Sequence, residues 1–308
     1  MIVDGQSGSN VLSTGKWYHV AFVYDYSASM QSIYLDGVLV GNRQSNPYKG
    51  TSGSITIGAS GNGTQFYFTG SIDQVALTTR AKTSSEILND ATLVCYFSFD
   101  SDLYSDSGPL NIQGSGVNVT SANGRVNNGS SFGTLPSYFM VGGLSKLGTQ
   151  TYSYSISIWI NPSSLNGGTI IHVSKCAYDC TGRWCLAFIG LTSTGQIAIQ
   201  SWRPNNESRL VSLTGPVLST NVWTHVVQTY SLNNGMCLYV NGLLVNQSNT
   251  FSYSASGVPV HIYLGRFPLP VCVSTNTILM GQYSGLLDEF RLYSRELSST
   301  EVYALANP

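Results

Sequence analysis

The stretch Trp223-Thr224-His225-Val226-Val227-Gln228-Thr229-Tyr230 is the key to the fold, because the chain carries it twice. Its counterpart, Trp17-Tyr18-His19-Val20-Ala21-Phe22-Val23-Tyr24, lies 206 residues upstream. Beyond these, Ile33-Tyr34-Leu35-Asp36-Gly37 returns as Leu238-Tyr239-Val240-Asn241-Gly242 at an offset of 205. Ile55-Thr56-Ile57-Gly58 returns as Ile262-Tyr263-Leu264-Gly265 at 207, and Gly70-Ser71-Ile72-Asp73-Gln74-Val75 as Gly285-Leu286-Leu287-Asp288-Glu289-Phe290 at 215. The jump from 207 to 215 places an eight-residue insertion in the second copy, around Pro268 to Cys272. Four blocks in one order define an internal repeat.

The two copies are unequal. Residues 93–308 can hold a whole second copy, whereas residues 1–92 match only the part of it beyond about residue 207. The segments themselves read as strands. Tyr152-Ser153-Tyr154-Ser155-Ile156-Ser157-Ile158-Trp159-Ile160 alternates small polar with apolar residues, the period of a strand with two different faces. Asp36-Gly37 and Asn241-Gly242 sit between apolar runs as hairpin turns, since both dipeptides accept positive φ. Asn161-Pro162 and Gly167-Gly168 read as loop punctuation. The helical signals are two capping boxes, Thr83-Ser84-Ser85-Glu86 and Ser298-Ser299-Thr300-Glu301. The expectation is an all-β tandem of antiparallel sandwiches in which the first copy is the C-terminal half of a sandwich. Half a sandwich leaves a hydrophobic face and strand edges bare.

Composition excludes several classes of function. Charged residues are only 9% of the 308, against roughly 25% in ordinary soluble domains. The net charge of −1 gives no basic field for nucleic acid or an anionic membrane. Apolar runs are short and broken, far from the ~20 residues a spanning helix needs. With 19 Tyr, 11 Phe and 5 Trp the chain has ample material for a core, which argues against disorder. Six cysteines (Cys95, Cys176, Cys180, Cys185, Cys237 and Cys272) and five glycosylation sequons (Asn62, Asn118, Asn128, Asn206 and Asn246) point to an oxidising, extracellular setting. Met1 to Gly5 has neither the basic nor the apolar region of a signal peptide, so the expectation is an added start or a piece of something longer.

The order Tyr96-Phe97-Ser98-Phe99-Asp100, Asp106-Ser107-Gly108, Ser155 to Ile160, Trp223 to Val226, Leu238 to Gly242 and Leu287-Asp288-Glu289-Phe290-Arg291-Leu292-Tyr293 resembles a laminin G-like domain of the concanavalin A-like lectin/glucanase superfamily. The resemblance spans residues 93–308 and the later half of the motif order in 1–92. It implies a jelly roll of two curved antiparallel sheets, a fold that hosts lectins, pentraxin-like and adhesion modules, and glycosidases.

Glycoside hydrolysis needs two carboxylates roughly 5 to 9.5 Å apart. The glucanases of the superfamily place them on one strand as Glu-x-Asp-x-x-Glu or Glu-x-Asp-x-Glu. The glutamates here are Glu86, Glu207, Glu289, Glu296 and Glu301, and none lies in such a pattern. His19 and His225 follow tryptophans at matching strand positions, which reads as packing against a neighbouring strand rather than catalysis. Asp100, Asp102 and Asp106, with Asp288, offer hard oxygens suited to calcium; Asp106 and Asp288 also read as turn caps. His172, Cys176, Cys180 and Cys185 lack the C-x2-C spacing of a zinc site, so disulfides are expected, Cys176 to Cys185 across a hairpin and Cys180 and Cys272 linking loops. Cys95 and Cys237 lie in apolar strands as a pair or as buried thiols. A sugar site needs an exposed aromatic ring beside hydrogen-bonding groups, and two loops have that composition: Tyr178, Asp179, Arg183 and Trp184, and Trp202 with Arg203, Asn205 and Asn206. Trp17, Trp159 and Trp223 belong to strands and read as core.

The sequence therefore describes a non-catalytic extracellular module that recognises glycans or glycoproteins. The competing expectation is a structural subunit of an extracellular filament, self-assembling through residues 1–92 by strand complementation between chains.

Overall fold

The chain folds into antiparallel strands and two short helices, and divides into two compact units, Met1–Thr92 and Leu93–Pro308. This computed structural model describes residues 2–3, 6–7, 12–46, 55–59, 66–177, 184–204, 209–266, 275 and 277–308. In the first unit β1 (Ile2–Val3) pairs with β2 (Gln6–Ser7). There β3 (Val20–Asp25), β4 (Met30–Leu35) and β5 (Val38–Gln44) form a three-stranded sheet, and α1 (Ser84–Thr92) follows. The second unit contains β6 (Leu93–Phe97), β7 (Ser115–Val117), β8 (Thr120–Asn123), β9 (Asn128–Phe132) and β10 (Tyr138–Leu144). It continues through β11 (Tyr154–Pro162), β12 (Gly168–Ser174), β13 (Cys185–Leu191), β14 (Gln196–Trp202) and β15 (Leu210–Val217). It ends with β16 (Thr224–Ser231), β17 (Gly235–Val240), β18 (Leu243–Gln247), β19 (Val260–Leu264), β20 (Gly285–Tyr293) and α2 (Ser299–Ala306).

Two sheets make this unit a sandwich. One has the order β15-β14-β13-β12-β19-β10-β7; the other runs β18-β17-β16-β11-β20-β9-β8, with β6 also paired to β20. The alternation in β11 explains how they meet. Ile156, Ile158 and Ile160 point into the common core, beside Phe188, Ile199, Tyr230 and Leu264. Ser155, Ser157 and Trp159 take the opposite face, where Ser155 Oγ donates to the Arg295 carbonyl and accepts from Leu297 N–H. That outer face is also covered by α2, whose Val302 joins Val227, Cys237, Tyr239, Tyr293 and Leu297 in a second apolar cluster. Pro162 is the last residue of β11 and pairs with Gly285, so the strand runs through Asn161-Pro162 instead of ending there. A proline is tolerated at a strand end, where its missing N–H costs little.

The repeat is visible at the level of individual hydrogen bonds. Asp36 Oδ1 accepts from His19 N–H at 2.9 Å, and Asn241 Oδ1 accepts from His225 N–H at the same distance. Both turns have positive φ at both central residues, 49° and 81° at Asp36-Gly37 and 50° and 82° at Asn241-Gly242. Each turn lies against the helix that closes its unit. A Cβ on Gly37 would stand 2.9 Å from Leu88 Cα, and one on Gly242 3.2 Å from Tyr303 Cα. Glycine is thus required twice at each turn, by φ and by the close approach of a helix. Both capping boxes form: Thr83 and Glu86 bond each other's backbone N–H, as do Ser298 and Glu301.

The tryptophans depart from expectation. Trp17 is two-thirds exposed. Trp223 is half-buried, and Trp159 is buried on the outer face of its sheet, under the Arg125 guanidinium at 4.7 Å.

Candidate functional site

The candidate binding loops meet at one end of the second unit. β12 and β14 both pair antiparallel with β13, so they run the same way and their C-terminal loops leave the sheet together. Trp184 immediately precedes β13 and Trp202 closes β14. Both rings are half-buried against the core. The Trp184 indole N–H donates to the Ser254 carbonyl at 2.9 Å, and Ser254 N–H donates to the Trp202 carbonyl at 2.9 Å. The Trp202 indole N–H donates to the Cys185 carbonyl at 3.3 Å. Ser254 therefore straps the two loops side by side, a residue that sequence reasoning missed because it belongs to neither. Arg203 is exposed at the same end, where its N–H closes the hairpin on the Arg209 carbonyl. Tyr178, Asp179, Arg183, Asn205 and Asn206 lie outside the described residues.

The outer face of the same sheet is closed. Ala187, Ala198 and Gln200 point away from the main core, which their neighbours Leu186, Phe188, Ile197 and Ile199 enter. Ile278 packs on Ala187 and Ala198, and Thr275 and Gln200 exchange side-chain hydrogen bonds at 2.8 and 3.0 Å. Leu279 N–H donates to Leu191 O, and Gly168 N–H donates to Leu279 O. A Cβ on Gly190 would stand 2.6 Å from Ile278 Cγ2, so glycine there is what lets the segment lie flat. The eight-residue insertion was the sequence's only signal of this cover, and Pro268 to Cys272 lie outside the described residues.

The described glutamates are each engaged in structural contacts. Glu86 and Glu301 serve their helix caps and are each bound by an arginine, Arg80 and Arg295. Glu289 accepts from the Tyr96 hydroxyl at 2.7 Å and is ion-paired with Arg291, which lies over the Tyr96 ring. Glu296 accepts from Asn234 Nδ2 at 2.8 Å, and Glu207 lies outside the described residues. Ser157 and His225 share a hydrogen bond of 2.9 Å, but both are fully buried and His225 Nδ1 has no partner among the described residues. Burial, reinforced by Arg291, pushes the His225 pKa down to about 3, so the ring is neutral and packed beside Trp159. A nucleophile–base pair needs substrate access and a third group orienting the base, and this pair has neither.

The aspartates expected to offer oxygens to calcium each accept hydrogen bonds within the protein. Asp106 accepts from the N–H groups of Tyr96, Gly108 and Ile112 at 2.7, 2.8 and 3.0 Å. Asp288 accepts from Arg125, Val126 and Glu289 N–H at 2.8 to 3.0 Å. Burial raises the Asp288 carboxyl to about 7, while the Val126 and Arg125 N–H groups oppose the rise. Asp100 accepts from Asn128 N–H, and Asp102 from Tyr104 N–H and the Ser105 hydroxyl. Among the described residues no three His, Cys, Asp or Glu side chains stand together as a metal donor set.

The cysteines divide. Cys95 and Cys237 are buried thiols, and burial raises both pKa values. The expectation that they might pair with each other is thereby corrected: each faces a different apolar cluster, Cys95 in the main core and Cys237 under α2. Cys185 is disulfide-bonded, and the structure gives it a partner other than Cys176, which packs beside it with Met280. Cys180 and Cys272 lie outside the described residues. Of the sequons, Asn118 and Asn128 are exposed and Asn246 is half-buried; the Nδ2 of each donates to a backbone carbonyl, at Pro136, Asp100 and Thr214. Asn62 and Asn206 lie outside the described residues.

A family model described as the concanavalin A-like lectin/glucanases superfamily matches residues 3–88 and 133–303. The chain belongs to that superfamily. No curated protein sequence matches this superfamily member. Among solved structures, the binding domain of Paraclostridial Mosquitocidal Protein 1 superposes with a TM-score of 0.51 at 19% identity, over 71% of this chain and 52% of that one. The receptor binding domain of botulinum neurotoxin D gives 0.50 at 19% identity, over 71% and 52%. Domain 4 of AbnA, an extracellular arabinanase from Geobacillus stearothermophilus in complex with arabinotriose, gives 0.48 at 19%, over 70% and 98%. The chain thus spans about half the length of the two toxin domains, and at these identities the likeness is one of fold. No helix is long and apolar enough to cross a membrane among the described residues.

Proposed function

We propose that the protein is a non-catalytic extracellular recognition module that binds glycans or glycoproteins at the strapped loop end of residues 93–308. The observation that supports the reading is the strapping of Trp184 and Trp202 to one residue, Ser254. Two half-buried indoles, each with its N–H fixed to backbone and its ring packed on the core, present rigid apolar edges at little entropic cost on binding. The exposed Arg203 beside them adds a charged donor for hydroxyl or carboxylate oxygens. The other broad surface, the outer face of the seven-stranded sheet, is occupied by Thr275 and Ile278 to Gln282 of the same chain. The disulfide at Cys185 and the low charge support an oxidising compartment. Two solved chains of the same fold are named as binding domains of toxins, which agrees with a binding role.

The test is a panel of immobilised glycans and glycoproteins probed with the 308-residue chain, Trp202→Ala and, as a control, Tyr303→Ala on α2. Binding by the parent, weakened about tenfold or more in Trp202→Ala (~1.4 kcal/mol) and unchanged in the control, is the expected pattern. Absence of binding, or turnover of a glycoside that disappears when one glutamate is replaced, contradicts it.

A further inference from the structure

We propose that the strapped loop end of residues 93–308, read as a recognition site, takes acidic saccharides, those that carry carboxylate or sulfate groups. The ligand class rests on that recognition reading. Ser254 belongs to a segment, residues 251–258, that holds three loops together and not two. The Trp184 indole N–H donates to the Ser254 carbonyl, and Ser254 N–H to the Trp202 carbonyl. One residue earlier, the Tyr253 hydroxyl donates to the Leu147 carbonyl at 2.8 Å, and Thr151 N–H donates to the Tyr253 carbonyl at 3.0 Å. Gly257 N–H donates to the Gly148 carbonyl at 3.0 Å. A Cβ on Gly148 would collide with the Val258 carbonyl oxygen, so glycine is what lets the third loop close on the strap.

Each of the three loops brings a cation. Lys146 is exposed, its ammonium 4.9 Å from the centre of the Tyr152 ring. Lys175 closes the hairpin of β12 and β13, its N–H donating to the Trp184 carbonyl at 3.2 Å. Arg203 and Arg209 are exposed and stand opposite each other at the neck of the β14–β15 hairpin, joined by their backbones at 2.8 Å. Counted on the sequence, segments 145–152, 175–184 and 202–209 carry five of the chain's 14 Lys and Arg residues and two of its 15 Asp and Glu residues. At β20 and the start of α2 the cations are instead ion-paired, Arg291 with Glu289 and Arg295 with Glu301. A chain of net charge −1 thus concentrates positive charge where its two strapped indoles lie.

Ring and cation have separate tasks. The indoles give apolar contact that neutral and acidic sugars can share. Guanidinium and ammonium groups add charge-assisted hydrogen bonds that only an anionic oxygen repays in full, and guanidinium fits carboxylate and sulfate through paired N–H donors. The rings therefore suit a sugar, and the cations select an acidic one.

The test titrates the 308-residue chain with an oligogalacturonate, a heparin oligosaccharide and a neutral galacto-oligosaccharide of the same length. The first two tell carboxylate from sulfate recognition. At about 0.15 M salt at least one acidic ligand is expected to bind about tenfold tighter than the neutral one, and to weaken severalfold at about 0.5 M. Lys146→Gln combined with Arg209→Gln should bring the acidic ligands down to the neutral one. Arg125→Gln, which removes a cation from the β8–β9 turn, should leave the preference intact. Acidic and neutral ligands bound equally, or a preference that survives the double substitution, would overturn the proposal while leaving the recognition reading in place. Phosphatidylserine vesicles or polyphosphate bound as tightly as the acidic saccharides would overturn it in favour of unselective charge attraction. If no saccharide binds, the proposal falls together with the reading it rests on.

Discussion

The two units carry the same turn, the same capped helix and the same Arg–Glu clamp, yet among the described residues the large core clusters lie in the second. What they share is local. A turn with two positive φ values, a capping box and a positive φ at Gln74 or Glu289 depend on residues a few positions apart, and these form in both. Where they differ is long-range. Strand identity in β19 and β20 depends on partners from residues 93–174, and the matching segments of the first unit, which pair with no strand among the described residues, are irregular. Tertiary pairing, not strand propensity, decides whether these segments become strands.

The clearest check on this contrast is to truncate the same position twice. Phe290 is fully buried beside Phe97, while Val75 is exposed. Phe290→Ala should destabilise the second unit by about 3–5 kcal/mol, the cost of lost burial plus a cavity. Val75→Ala in the same chain should change stability by less than about 0.5 kcal/mol, as an exposed substitution does. Denaturant unfolding of both variants reads the difference. A loss at Val75 comparable to that at Phe290 would mean that the first face is already covered in the 308-residue chain.

The second contrast lies at the histidines. His225 is buried between Ser157 and Trp159, which belong to the half with no counterpart in the first unit, while His19 is only half-buried. Burial lowers the pKa of His225 and of His172 from the ordinary 6.5 to about 3. Between those values the unfolded chain binds protons that the folded one refuses, so stability rises with pH from about 3 to 6.5, on the order of 5 kcal/mol per histidine. Asp288 acts oppositely: its raised pKa of about 7 makes its contribution fall as pH rises from about 4 to 7. Two histidines outweigh one aspartate, and the net expectation is a rise from pH 3 to about 6.5. His225→Gln, which keeps an amide near Ser157, should flatten roughly half of the histidine part in a series of melts. An unchanged slope would show that His225 is protonated in the folded protein.

Much of this architecture was legible in the sequence, because repeats and turns are written in adjacent residues. The offsets located the turns, the capping boxes marked both helices, and the alternation in Ser155 to Ile160 gave the central strand. The candidate site was legible only in part. Trp184 and Trp202 were visible as residue types, but nothing near them in sequence points to Ser254, which straps them from 52 residues beyond Trp202. The aspartates were ambiguous for a related reason. A carboxylate that binds a metal and one that caps a turn look alike until the backbone N–H groups around Asp106 and Asp288 are placed.

The weakest effect concerns what the units have in common. Ser298 caps α2 with φ −70° and ψ 157°, its Oγ accepting from Glu301 N–H, while the Glu301 carboxylate accepts from Ser298 N–H and is held by Arg295. Thr83, Glu86 and Arg80 repeat the arrangement at α1. Losing a cap of this kind costs about 1 kcal/mol wherever it occurs. The consequence differs between the units. α2 lies on Val227, Cys237, Tyr239 and Tyr293, so fraying its first turn loosens packing that belongs to the cooperative core. Ser298→Ala should therefore lower the main melting midpoint by about 2–4 °C, the shift that 1 kcal/mol produces in a domain of this size. Thr83→Ala should leave that midpoint in place and appear only as faster amide exchange in α1, since the unit it closes has no sealed core to couple to. Equal shifts from the two substitutions would show that both helices report on a single cooperative unit, and the division at Thr92 would then be one of geometry without a thermodynamic counterpart.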